Sequence, residues 1–316
     1  MTSVVRHVNM DKAERVVAGV TRRLPLPMLD ALGGSMGRFA SRKTRRPRRD
    51  DMDVVLPHLF PRLDRRSIER LIDRNWSYIG RSMLRIGNLP KIVRQVPTDI
   101  RGFDQIIEMS ADNQPYILAF VHLGLWELLV LQTAQIGRPP LAIYQAPASK
   151  VRTEIALQTR SEAYLERYAQ YHRVSSEDEA ERQRQVARDI MLEGSRRATG
   201  SVLKALHNGG SAWFAADECV NGHIHGPWFG KLDRRSGNIS VVARLAAKTG
   251  AAIVPCWSIE TGDGYQLNFE PSFVSNDVDE LMDRLSAVLS PKIEAHYEQW
   301  FMLHELRPAD FGLTGR

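Results

Sequence analysis

The apolar positions of this chain follow two rhythms, one helical and one stranded. From Arg62 to Asn88, the residues Ile68, Leu71, Ile72, Ile79, Met83 and Ile86 fall near one helical face, and Asp64 stands where an N-cap belongs. A second long helical pattern runs from Asp277 towards His304, with Leu281, Leu285, Val288, Leu289, Ile293, Tyr297, Trp300 and Phe301. Between them lie short apolar runs of the length of buried strands: Tyr116–Val121, Leu141–Tyr144, Ser211–Ala216, Ala251–Ser258 and Tyr265–Phe269. Helical segments separate these runs. One follows Glu127, one covers about Thr153–Tyr171, one ends at His207 before Asn208-Gly209-Gly210, and one begins at Gly237-Asn238 and stops at Gly250. Strands alternating with helices beyond about residue 100 predict an α/β layered domain with helices on both faces. Residues 1–90 read as a helical lead-in too thin to stand alone, and residues 91–316 as the α/β domain.

Three further stretches are helical or charged. Val16, Val17, Val20 and Leu24 would share one side of an N-terminal amphipathic helix, docked on the core or lying at an interface. Met28–Phe39 forms a short helix in which Gly33, Gly34 and Gly37 permit close packing. The highly charged stretch from 173 to 199 reads as an exposed helix, a lid or a contact surface.

Charge narrows the choice of partner. A formal net charge of +6 and an isoelectric point near 9.4 point to something anionic: a membrane surface, an acidic carrier protein or nucleic acid. Seven basic residues lie between Arg38 and Arg49 with no acid among them, a match for phosphate-bearing partners or a solvated loop. That run contains one aromatic residue, Phe39, and no reading motif follows it, so no specific nucleic acid is expected. Two cysteines, Cys219 and Cys256, offer no disulfide framework. No stretch approaches the roughly 18 apolar residues of a spanning helix, and the N-terminus is too broken by charge for a secretory signal. Attachment to a membrane would be peripheral. His223-x-His225 supplies two imidazoles, fewer than a zinc site needs, and reads as two polar positions near a loop.

The candidate chemistry sits at strand ends. His122 follows the apolar run Tyr116–Val121, with Gly124 two residues on and Glu127 five residues on. If His122 lies in a turn and Glu127 in the first winding of a helix, the carboxylate can reach back to one ring nitrogen and leave the other to accept a proton. The plain alternative is a core histidine. Asp217-Glu218 follows Ser211–Ala216 on the same sheet edge, as a second site element or as a turn acid.

His122-Leu-Gly-Leu-Trp-Glu127 resembles the His-Phe-Gly-Asn-Trp-Glu block of the bacterial lipid A late acyltransferases, with Leu125 where that family has Asn. Further blocks resemble the family in the same order: the Leu24-Pro25 opening, Tyr144 to Arg160, Asp217 with Pro227-Trp228-Phe229-Gly230, Ser236 to Pro255, and Gln299-Trp300 with His304. Gln145 and Cys219 depart from the family pattern, as does Glu218 in place of Gln. The resemblance implies a mixed central sheet flanked by helices, as in the glycerolipid acyltransferases. It also implies transfer of a fatty acyl chain from acyl carrier protein or acyl-coenzyme A to a hydroxyl of an anionic membrane lipid. His122 would be the base and Glu127 its orienter, with Asp217 and Arg160 in support and Trp126 and Trp228 lining an acyl channel or packing in the core. No metal or organic cofactor is implied. The expected place is the cytoplasmic face of the inner membrane. A phosphatidylinositol mannoside or a lysophospholipid acceptor stays open, and so does a non-catalytic protein that binds membrane or nucleic acid through the basic run.

Overall fold

A computed structural model of the protein describes residues 14–144, 150–193, 196–220, 223–224 and 237–313. Its centre is a seven-stranded mixed sheet in the order β1-β9-β8-β2-β5-β3-β4. The strands are β1 (Thr98–Arg101), β2 (Tyr116–Phe120), β3 (Leu141–Tyr144), β4 (Met191–Glu193), β5 (Ser211–Ala215), β8 (Ala252–Glu260) and β9 (Tyr265–Phe269). All neighbours pair parallel except β8 and β9, which are antiparallel. A separate two-stranded ribbon joins β6 (Cys219–Val220) to β7 (His223–Ile224).

Strand β2 explains why the sheet is covered on both faces. All five of its residues are buried, because successive side chains point to opposite sides. Ile117, Ala119 and Val121 join one apolar cluster, and Tyr116, Leu118 and Phe120 join the other. On the first side lie α3 (Arg46–Leu59), α4 (Arg65–Ile86), α10 (Arg196–His207), α11 (Asn238–Thr249) and α12 (Val278–Ala295). The second side is covered by α5 (Leu89–Gln95), α6 (Asp104–Ala111), α7 (Glu127–Gln132), α8 (Lys150–Tyr168) and α9 (Glu177–Asp189). Each fully buried Leu, Ile or Phe in these layers contributes about 1.5–3 kcal/mol. Met52, Val55 and Leu56 of α3 and Ile72 and Trp76 of α4 share the cluster that contains Ile117 and Trp300. The helical lead-in is thus built into the core of the sheet.

Helix α4 carries the expected N-cap, with Asp64 accepting from Ser67 N at 2.7 Å. Ile68, Ile72 and Ile79 point inward as its periodicity predicts, whereas Met83 is exposed. Helix α2 (Leu26–Arg42) lies against it through glycines. A Cβ on Gly37 would stand 1.9 Å from the Trp76 carbonyl oxygen, so the two backbones approach as closely as only glycine permits. Residues 14–23 form α1, and Val16, Val17 and Val20 are exposed.

Three expectations are corrected. The basic run is helical over much of its length: α3 begins at Arg46 with Pro47 in its first turn, where proline's missing N–H costs nothing. Residues 173–199 hold α9, the edge strand β4 and the start of α10, and so more than a single exposed helix. The C-terminal helix stops at Ala295, and 3-10 turns over Tyr297–Gln299 and Phe301–Glu305 carry the chain onward.

Candidate active site

Strands β2 and β5 are parallel neighbours in register, Phe120 beside Ala215. His122 and Asp217 each lie two residues past that pair, so they emerge side by side at the carboxyl edge of the sheet, where open α/β sheets carry their chemistry. His122 Nδ1 and Asp217 Oδ1 are 2.8 Å apart, and the His122 backbone N–H donates to Asp217 Oδ2 at 2.8 Å. The Trp300 indole N–H donates to the same Oδ2 at 2.7 Å. A carboxylate with no proton accepts at Nδ1, so the neutral ring carries its hydrogen there and keeps Nε2 as a base.

The turn that displays His122 is held from two sides. Gly124 has φ +60, and a Cβ there would meet the Ser258 carbonyl oxygen at 2.5 Å. Ser258 Oγ donates to the Leu123 carbonyl at 2.7 Å, and the Phe301 N–H donates to the His122 carbonyl at 2.8 Å. The Trp126 ring meets the imidazole edge-on with centroids 4.8 Å apart. Orientation of the base therefore comes from β5, β8 and the 299–301 segment together.

Burial works against the imidazolium, but the charge and hydrogen bond of Asp217, together with the charges of Glu218 and Glu127, outweigh it. The net effect holds His122 above its ordinary 6.5. Burial pushes the Glu218 carboxyl up, although Asn238 donates to it at 2.5 Å.

Glu127 does not make the contact expected of it. It opens α7, where an acid suits the positive helix end, and its carboxylate is gripped by Arg160 of α8. Arg160 Nε lies 3.2 and 3.0 Å from the two oxygens, and a second guanidinium nitrogen lies 2.5 Å from Oε1. The geometry is a bidentate fork of the strong kind. The partner of the imidazole is Asp217.

One cavity of about 370 Å³ gathers His122, Trp126, Glu127, Arg160 and Glu218, and its remaining wall is largely apolar, including Phe120, Val130, Trp213 and Phe301. Asp217 sits behind His122 and is fully buried. Trp228 and His225 lie outside the described residues. Among the described residues, no group of three His, Cys, Asp or Glu side chains is placed to hold a metal ion. Trp300 and Phe301 were missed as site residues, because their apolar spacing reads as the end of a helix. A signal for Asp217 was present: it stands as far past its strand as His122 does past its own.

A family model described as bacterial lipid A biosynthesis acyltransferase matches residues 14–166 and 179–306 of the chain. Two relatives, each called phosphatidylinositol mannoside acyltransferase and found in the CDC 1551 and H37Rv strains of Mycobacterium tuberculosis, are each 25% identical to it over 233 residues. The aligned region is 72% of this chain and 66%, just under two thirds, of each relative's length.

Proposed function

Because the chain belongs to the bacterial lipid A biosynthesis acyltransferase family, we propose that it moves a fatty acyl group from a thioester, borne by acyl carrier protein or coenzyme A, to a hydroxyl of a membrane glycolipid. The observation that carries this reading is the His122–Asp217 pair, with the imidazole opening into an apolar cavity. His122 Nε2 takes the proton of the acceptor hydroxyl as its oxygen attacks the thioester carbonyl. Asp217 keeps the ring in the required tautomer and stabilises the imidazolium that forms. Among the described residues lining the cavity, Arg160 carries the fixed positive charge, and it serves to steady the tetrahedral oxyanion while it holds Glu127. The intermediate collapses with loss of the C–S bond, and the thiolate leaves as a thiol by taking the proton from His122. Each methylene of the chain buried along the apolar wall adds about 0.8 kcal/mol to binding.

A phosphatidylinositol mannoside-type acceptor is the second reading, favoured by the names of the two relatives. Both readings put the protein at the cytoplasmic face of the inner membrane as a peripheral enzyme. None of the described helices is long and apolar enough to cross a membrane. Support for surface attachment comes from α2, where the exposed Met28, Leu32, Met36 and Phe39 recur along one face, and from the exposed valines of α1. The basic run contributes less free charge than its composition suggests. Arg42 and Arg49 pair with Asp73, Arg46 with Asp50 and Arg48 with Glu305.

The test uses the purified protein with total lipid extract and a labelled long-chain acyl group on either carrier. A labelled glycolipid should form, its acceptor identified by mass. Labelled lipid from neither donor would overturn the proposal.

A further inference from the structure

We infer that the outer face of α4 is a docking surface for an acidic helix of a partner protein, the carrier that delivers the acyl thioester; this rests on the acyl-transfer reading above. Arg66, Arg70, Arg74 and Arg81 follow one another on α4 at spacings of four, four and seven residues. At about 100° per residue they fall within roughly 80° of one another, opposite the face that carries Ile68, Ile72 and Ile79 inward. With Arg38 of α2 they line a groove of about 640 Å³ that runs past Ser77 to Gln299. Of the three acids in its lining, two are taken, and the third, Glu298, stands next to Gln299 in the chain. Asp73 is held by Arg42 and Arg49, and Glu69 by Arg65. Arg38, Arg66, Arg70 and Arg74 have no carboxylate within ion-pair distance among the described residues. Like charges four residues apart repel on a helix, so Arg66, Arg70 and Arg74 would each gain from an anion laid along them.

The dimensions choose among anions. From Arg66 to Arg81 the stripe is about 22 Å long at 1.5 Å per residue, the length of a helix rather than of a phosphate cluster. A bilayer is disfavoured by direction. Arg38 lies about 115° around α2 from the centre of the exposed apolar row Met28–Phe39. A membrane meeting that row would leave the stripe on its flank, open to a soluble partner. The groove also borders the chemistry. Arg81 pairs with Glu260 at the carboxyl end of β8, the strand beside β2. Gln299 in the groove and Phe301 in the cavity wall are two residues apart, about 7 Å of chain. A donor with its acyl group on a flexible arm would rest in one and reach into the other.

The test compares the intact protein with R66Q/R70Q/R74Q, the charge-keeping R66K/R70K/R74K, and the single R70Q. Titration with acyl carrier protein bearing its prosthetic arm but no acyl group reads the surface independently of turnover. In 50 mM salt the Gln triple should bind at least tenfold more weakly and with a shallower salt dependence, and the Lys triple should bind as the parent does. The ratio of turnover with carrier-borne to coenzyme A-borne acyl groups should fall by a similar factor. Equal binding by parent and Gln triple, or no binding by the parent, would overturn the inference. So would a Gln triple that keeps carrier affinity and instead loses binding to vesicles of 30% anionic lipid. Should the triple fail to fold, R70Q reads the same comparison at smaller size. If carrier binds through the stripe but no acyl group is transferred from any donor, the acyl-transfer reading fails while the docking surface stands.

Discussion

Two pairs, each an acid with a basic side chain, stand at the same cavity, and they are built for different work. His122 and Asp217 come from neighbouring parallel strands, touch through one ring nitrogen, and leave the other nitrogen to the cavity. Glu127 and Arg160 come from two helices and bind each other through both carboxylate oxygens. The first pair keeps a proton site open, and the second fixes a carboxylate through both of its oxygens. Nearness in sequence suggested that Glu127 serves His122, since the two are five residues apart. Distance across 95 residues provides the real partner. In a parallel sheet, register outranks proximity along the chain.

The largest effect expected is on the open pair. His122→Ala should lower kcat/KM by about 10²–10⁴-fold, the usual contribution of a general base. It is measured as labelled lipid formed per unit time by folded protein, and a rate near that of the parent would remove His122 from the mechanism.

Asp217→Asn and Glu127→Gln then separate the two acids by pH. The base must be neutral to act, and its pKa is raised, so activity should climb as pH rises through a limb above about 6.5. After burial, which lowers it, Asp217 is the foremost influence on that pKa, ahead of Glu218 and then Glu127. Asp217→Asn should therefore cut the rate and move the limb to lower pH. Glu127→Gln should move it less. Equal displacements in the pH profile of kcat/KM would erase the distinction between the pairs.

The closed pair should show itself in stability. Arg160→Leu leaves the Glu127 carboxylate, whose side chain is 9% exposed, without its bidentate partner. Breaking a fully buried ion pair costs about 3–5 kcal/mol. The cost here should be lower because the Arg160 side chain is 22% exposed. Urea unfolding reads it, and the double substitution with Glu127→Gln should recover part of the loss. If the single and double variants were equally unstable, the two residues would not be acting as a pair.

Much of the α/β layout was legible because central strands announce themselves. Leu141–Tyr144 and Tyr265–Phe269 were readable to their ends, and Tyr116–Val121 to within one residue. The edge strands were not, since Thr98–Arg101 is half charged and alternates between half-buried and exposed. Of the candidate site, His122, Trp126, Glu127 and Arg160 do line one cavity. The pairing among the acids could not be read, because it depends on which strands are neighbours. The charges misled in a similar way. The run from Arg38 to Arg49 is dense in sequence, yet four of its seven basic residues are paired in space, whereas the α4 arginines are scattered in sequence and aligned in space.

The bond from Trp300 to Asp217 also sets an order of events. The Trp300 indole holds an acid 83 residues earlier, and the Trp300 carbonyl accepts from Asn75, 225 residues earlier. Helices close local loops quickly, whereas contacts at such separations wait for most of the chain to be in place. Helical content can therefore be largely regained while the imidazole still lacks a fixed orientation. In refolding, competence for chemistry is a late-arriving property, and it reports the joining of the first and last parts of the chain.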